Sequence, residues 1–217
     1  MANKFKNIFI SYAKADKYIA GELKRYLEKY DFDVFVAHDD IEGGDLWMAD
    51  IIDRLKKTDI FIPLYSQNFE KSEWTYQECG GAIVADAEIY PISLDGVTFA
   101  RGFINRHQAM KLEQYPEITF IKLIKKFASK KNTYWRDRMI EKLNTFGSFN
   151  ETREVFNIYE SFDYDKKSIN KFVKNCANNG QVFDTFNARP IIRKLMDKYK
   201  KVINKSLFKD LMSKIDR

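Results

Sequence analysis

Apolar residues form short continuous runs in the first 130 positions, and each run is followed by a stretch with helical spacing. The runs predict buried strands at residues 7–12, 32–36, 59–65, 89–94 and 108–112. The stretches between them predict amphipathic helices at residues 16–30, 46–57 and 118–127, and the proline-free stretch at 74–86, rich in Ala, Glu, Gln and Ile, predicts a further helix. Pro91 favours an edge position or a strand start for the fourth strand. Strands that alternate with helices predict an α/β fold with a parallel, doubly wound sheet.

The pattern changes after residue 130, where helical stripes continue without strand runs. Apolar stripes predict helices around residues 135–146, 155–162 and 169–176, and Pro190 fits the first turn of a long last helix that reaches Ile203. We therefore expect one α/β domain at residues 1–130 and an α-helical extension at 131–217.

Charge and cysteine content narrow the class of protein. The net charge is +6, and residues 131–217 carry 19 Lys and Arg against 11 Asp and Glu. These charges are spread along the segment, so a solvated helical surface is favoured over a nucleic-acid site. Cys79 and Cys176 are far apart and indicate reduced thiols, as in a cytoplasmic protein. Without a signal-like start or a long apolar run, we expect no membrane segment.

The most informative stretch follows the third predicted strand. Ser72 is a plausible N-cap of the next helix, in which Trp74 and Glu78 lie on one face at positions i and i+4. A carboxylate beside an indole, near the carboxyl end of a strand, is where open α/β sheets place ligands. The same spacing also fits a helical glutamate beside a core tryptophan, and the spacing alone favours that interpretation.

Other site classes lack their signatures in this sequence. His38 and His107 are the only histidines and have no ligand-like spacing, so no metal site is expected. The Gly-x-Ser-x-Gly elbow of serine hydrolases and glycine-rich phosphate loops are absent. The first and third strands end in Ile10-Ser11 and Tyr65-Ser66, whereas a response-regulator receiver needs acidic residues there.

Taken together, residues 5–128 resemble the TIR domain, and bacterial members in particular. The resemblance lies in the motif order: the run Ile8 to Tyr12, the acidic glycine-containing loop 38–45, the run Asp59 to Ser66, and Ser72-x-Trp74-x-x-x-Glu78. It implies a flavodoxin-like fold with five parallel strands.

The resemblance also implies an enzyme that cleaves NAD⁺ at the nicotinamide–ribose bond, with Glu78 as its catalytic residue. It needs no cofactor beyond NAD⁺ as the substrate. The residues implied to bind the substrate are Ser11, Tyr12, Ala13, Asp39, Ile41, Gly44, Ser66 and Trp74. The chain departs from the family in the acidic loop, where Gly43-Gly44 replaces Pro-Gly and His38-Asp39 replaces Arg-Asp.

The resemblance leaves the product and the biological role open. Water attack gives ADP-ribose, whereas attack from within the nucleotide gives a cyclic isomer. Self-association through the TIR domain is implied, and a Thoeris-like antiphage role would add a separate effector that senses the product. The alternative is a non-catalytic TIR module that works by assembly alone.

Overall fold

A computed structural model describes residues 7–37, 46–96, 107–128 and 133–217. The chain divides into two compact units, residues 1–123 and 124–217. The division falls within one helix, and the boundary expected near residue 130 stays a prediction. No helix in the described ranges is long and apolar enough to cross a membrane.

The first unit is built on one parallel sheet. Its strands are β1 (Asn7–Ser11), β2 (Asp33–Val36), β3 (Ile60–Tyr65), β4 (Glu88–Ile89), β5 (Ile92–Ser93) and β6 (Met110–Lys111). The order is β2-β1-β3-β5-β6, with β4 also paired to β3. Every pair is parallel, which confirms the predicted α/β fold with its parallel sheet.

The fourth predicted strand is broken in two, and Pro91 immediately precedes the second segment, which agrees with the predicted strand start. β4 pairs with the start of β3 and β5 with the end, so the two segments continue each other across Tyr90-Pro91. β5 also pairs with β6, so the strand formed by β4 and β5 lies inside the sheet rather than at an edge. The ladder tolerates Pro91 because the proline falls in the gap between the segments, where its carbonyl accepts a bond from Met110.

In the described part of this unit, five α-helices accompany the sheet. They are α1 (Lys17–Glu28), α2 (Leu46–Lys56), α3 (Gln67–Glu70), α4 (Glu73–Val84) and α5 (Pro116–Ala128). Helices α2, α3 and α4 bury Ile51, Leu55, Phe69, Cys79 and Ala82 against the aromatic face of the sheet. The rings of Phe9 and Phe61 stack on that face with centroids 5.7 Å apart.

The sheet is covered on both faces. All six positions of β3 are buried, which requires packing on each side because strand residues alternate between faces. Helices α1 and α5 meet each other through the rings of Tyr26 and Phe120, whose centroids lie 5.5 Å apart. This doubly covered sheet explains the continuous apolar runs in the sequence.

The second unit is helical in its described part. Its helices are α6 (Thr133–Lys142), α7 (Phe149–Val155), α8 (Lys166–Asn178), α9 (Gly180–Phe183), α10 (Ala188–Lys198) and α11 (Lys205–Ile215), with a 3₁₀ helix at Phe156–Ser161. Fully buried Tyr159 donates a 2.6 Å hydrogen bond to the Met139 carbonyl. The single long last helix was predicted wrongly, because α10 ends at Lys198 and α11 begins at Lys205.

Candidate active site

Helix α4 carries Glu78 to the carboxyl end of the sheet. Ser72 occupies the predicted N-cap position without a side-chain cap bond, and the Thr75 hydroxyl lies 2.8 Å from the Ser72 carbonyl. Six residues into the helix, Glu78 points inward and is only 1% exposed. The sequence predicted the helix and the residue, but not this degree of burial.

Ser11 and Glu78 form the polar centre of the candidate site. The Ser11 hydroxyl, at the end of β1, donates a 2.5 Å hydrogen bond to Oε2 of Glu78. The other carboxyl oxygen, Oε1, is buried without a hydrogen-bond partner among the described residues. One oxygen is therefore held in place by the fold, and the other can accept a bond from a ligand.

Burial controls the protonation of this carboxyl. It raises the pKa of Glu78 to about 7 because a charged carboxylate loses solvation in the interior, and the Ser11 hydrogen bond opposes the rise. Near neutral pH both protonation states are therefore populated. A cationic ligand beside Glu78 would favour the ionised form.

A cavity of about 470 Å³ opens between α2 and α4 beside this centre. Half-buried Trp74 and Glu78 both line it, together with Leu55 and Gly81. Gly81 allows the close approach of the two helices, because a Cβ there would lie 2.9 Å from Cδ1 of Leu55. Glu78 borders the cavity while staying almost inaccessible, so a substrate reaches its carboxylate only after neighbouring side chains move.

The structure thus brings together three of the predicted site residues, Ser11, Trp74 and Glu78. Tyr12 and Ala13 are buried just beyond β1 and do not line the described part of this cavity. Ser66 caps α3 by accepting a bond from the Phe69 amide, and its hydroxyl donates to Asp16 at 2.6 Å. Its proton is already engaged within the fold. Asp39, Ile41 and Gly44 lie outside the described residues.

Two further polar side chains lie at the same end of the sheet. The hydroxyls of Tyr65 and Ser93 are buried without hydrogen-bond partners in the described part of the chain. Sequence reasoning missed both, because each was absorbed into an apolar strand run. The available signal was their position, since each is the last residue of a strand and the carboxyl ends of parallel strands are where ligands bind.

The described residues were searched for metal-binding clusters, and the nearby thiol of Cys79 was considered as a nucleophile. The described ranges contain no group of three or more His, Cys, Asp or Glu side chains that could hold a metal ion. Cys79 is buried next to Glu78, and burial, reinforced by that carboxyl, raises the pKa of its thiol. A thiol with a raised pKa is a poor nucleophile.

The chain was compared with known proteins and with a family model. The TIR domain of the Toll-related receptor TRR-2 from Hydra magnipapillata is 20% identical, with a TM-score of 0.46 over 55% of this chain and 95% of that chain. The CMP N-glycosidase BcmB from Clostridium botulinum is 18% identical, with a TM-score of 0.41 over 54% of this chain and 98% of that chain. No curated protein matches the sequence. The family model of the TIR domain matches residues 8–124, over half of the chain. The chain therefore belongs to the TIR domain family.

Proposed function

We propose that this protein cleaves NAD⁺ at the bond between nicotinamide and ribose, with Glu78 as the catalytic residue. The observation that carries the proposal is the state of the Glu78 carboxyl. The carboxyl is buried at the end of the sheet, and one of its oxygens accepts a hydrogen bond from Ser11. The other oxygen has no hydrogen-bond partner among the described residues. Trp74 lies beside it in the wall of the same cavity.

The chemistry suits a single buried carboxylate. When the C1′–N1 bond breaks, its electron pair moves to the ring nitrogen, and nicotinamide leaves as a neutral molecule without needing a general acid. Positive charge then develops on the ribose, as in glycosidase transition states. An ionised Glu78 stabilises that charge, and the low-dielectric surroundings strengthen the attraction.

The raised pKa of Glu78 is compatible with this role. Bound NAD⁺ carries a positive nicotinamide ring, which favours the ionised carboxylate. The apolar lining of the cavity, which includes Ile51 and Leu55, suits the flat rings of a nucleotide. Water that attacks C1′ gives ADP-ribose and releases a proton, whereas attack by a nucleophile of the same nucleotide gives a cyclic isomer. In a bacterial antiphage role, that product would signal to a separate effector.

The decisive experiment measures nicotinamide released from NAD⁺ by the purified chain. Glu78→Gln should abolish release, because the amide cannot carry the negative charge. Glu73→Gln is a matched control, since Glu73 lies on the same helix but is exposed, and it should cleave at the wild-type rate. A folded Glu78→Gln protein with wild-type activity would refute the assignment, and chromatography of the nucleotide product separates hydrolysis from cyclisation.

A second candidate function is assembly without catalysis, and one observation favours it. Met48, Ile52 and Val84 at the rim of the cavity are 51%, 45% and 89% exposed. Exposed apolar side chains in one place are typical of surfaces that bind other proteins. Val84→Glu should abolish self-association under this alternative, and a chain that assembles but never releases nicotinamide would favour it over the enzyme.

A further inference from the structure

Three buried polar atoms without described protein partners occur at one end of one sheet. They are Oε1 of Glu78, the hydroxyl of Tyr65 and the hydroxyl of Ser93. Glu78 is 1% exposed, Ser93 2% and Tyr65 4%. Buried polar groups are nearly always hydrogen-bonded, so three exceptions in one region require an explanation.

The register of the strands shows that these groups share a face. Ser11 on β1 is opposite Pro63 on β3, and Tyr65 lies two residues further along the strand. Side chains two residues apart point to the same face, so Tyr65 projects to the side of Ser11. Tyr65 is in turn opposite Ser93 on β5, which places the Ser93 hydroxyl on that face too. The hydroxyls of Ser11, Tyr65 and Ser93 therefore follow one another across three adjacent strands.

Glu78 belongs to the same face. Tyr65 packs in the core cluster with Cys79, the next residue of α4, while Glu78 bonds to Ser11. From the spacing of strands and residues, the Cα atoms of Ser11 and Tyr65 are about 8 Å apart. We define the polar rim as Ser11, Tyr65, Glu78 and Ser93.

The rim lies where this sheet topology binds ligands. With the order β2-β1-β3, the chain reverses direction across the sheet between β1 and β3. Ligands of open α/β sheets bind outside the carboxyl ends of the strands at that point. Ser11 ends β1 and Tyr65 ends β3, so the rim flanks the switch point on both sides.

We propose that Tyr65 and Ser93 are substrate-binding residues of the Glu78 site and that they select an uncharged, hydrogen-bonding substituent on the leaving base. This inference rests on the proposed NAD⁺ cleavage. A carboxamide both donates and accepts hydrogen bonds, as two hydroxyls can. A carboxylate at the same place would be buried on the same face as Glu78, where like charges repel.

The surroundings of Tyr65 agree with this selection. Phe69 packs edge-on against its ring with centroids 5.0 Å apart, and Cys79 and Tyr76 adjoin it. None of these three side chains supplies a positive charge for an anion. Burial raises the pKa of Tyr65, so its hydroxyl remains protonated and can donate.

The test compares NAD⁺ with its nicotinic-acid analogue, in which a carboxylate replaces the carboxamide. Wild-type protein should prefer NAD⁺. Tyr65→Phe and Ser93→Ala should each lower kcat/KM for NAD⁺ about three- to tenfold, the effect of one lost hydrogen bond to a neutral group. Neither change should lower kcat/KM for the analogue, so the ratio of kcat/KM for NAD⁺ to kcat/KM for the analogue should fall.

Thermal unfolding separates a binding role from a structural one. Removing a hydroxyl that has no partner in the fold breaks no native bond, so Tyr65→Phe should not lower the melting temperature. The matched control is Tyr30→Phe, since Tyr30 is fully buried, lies beyond α1 at the amino end of β2, and places its hydroxyl 3.4 Å from that of Tyr26. This control should keep wild-type kcat/KM for both nucleotides.

Two results would overturn the inference. One is that Tyr65→Phe and Ser93→Ala have the same kcat/KM for NAD⁺ as the control variant Tyr30→Phe. The other is a lower melting temperature for Tyr65→Phe, which would mean that its hydroxyl is bonded within the fold. If wild-type protein releases no nicotinamide, the proposed function fails separately. In that case NAD⁺ is titrated calorimetrically into the Glu78→Gln variant and into the double variant that also carries Tyr65→Phe. Equal affinity of the two variants for NAD⁺, or no binding to either, overturns the inference.

Discussion

The replacement Glu78→Gln should stabilise the protein at high pH while it removes activity. A rise in the pKa of Glu78 from 4.5 to about 7 means that the fold disfavours the ionised form by roughly 3 kcal/mol, at about 1.4 kcal/mol per pH unit. Between these two pH values the folded protein keeps a proton that the unfolded chain has released. The stability of the wild type therefore falls as the pH rises through this window and levels off above about pH 7.

Glutamine does not titrate, and its amide oxygen can still accept the bond from Ser11. The variant should exceed the wild type by less than about 1 kcal/mol at pH 5 and by up to roughly 3 kcal/mol at pH 8. For a unit of this size, that corresponds to a melting temperature higher by on the order of 10 °C. Calorimetric unfolding of both proteins at both pH values measures the difference, with Glu73→Gln as the exposed control. If the free energy of unfolding of the variant differs from that of the wild type by the same amount at pH 5 and pH 8, Glu78 is not a buried carboxyl that titrates in this range.

Other consequences of the site can be tested separately. Ser11→Ala removes the hydrogen bond that favours the ionised carboxylate of Glu78. The pH at which kcat/KM reaches half its maximum is expected near 7 in the wild type and should be higher in this variant. An unchanged pH profile would exclude Ser11 as the partner of Glu78. Gly80→Ala should raise the free energy of unfolding by about 0.5–1 kcal/mol, because alanine favours a helix and the added Cβ would meet no other part of the fold within 4 Å. Gly81→Ala should gain less or lose stability, because its Cβ would meet Leu55 at 2.9 Å; equal gains in urea denaturation at both positions would contradict the tight packing of α2 on α4.

Local patterns in the sequence determined most of the secondary structure. The apolar runs at residues 7–12 and 59–65 became β1 and β3 because a strand buried on both faces needs apolar side chains at nearly every position. The composition around Glu78 predicted a helix, and α4 begins one residue before the predicted start. These features depend on neighbours a few residues apart, which is the information that a single sequence carries.

Local patterns failed where tertiary context, rather than local propensity, sets the type and the ends of a helix. The helix predicted from Pro190 to Ile203 ends at Lys198 as α10, and a further helix, α11, begins at Lys205. The stripe at residues 155–162 is mostly a 3₁₀ helix, whose apolar spacing resembles that of an α-helix. The substrate-binding role of Ser66 stays a prediction; in the structure its hydroxyl caps α3 and donates to Asp16.

Only the tertiary structure decided which residues share the candidate site. Ser11 and Glu78 are 67 residues apart in the chain, and their hydrogen bond depends on the packing of α4 over the end of β1. Tyr65 and Ser93 acquire a common face only through the pairing of β3 with β5. Strand pairing and burial are properties of the assembled sheet. Burial raises the pKa of Glu78 to about 7. Strand pairing brings the unpartnered hydroxyls of Tyr65 and Ser93 to one face, which makes them candidate binding groups.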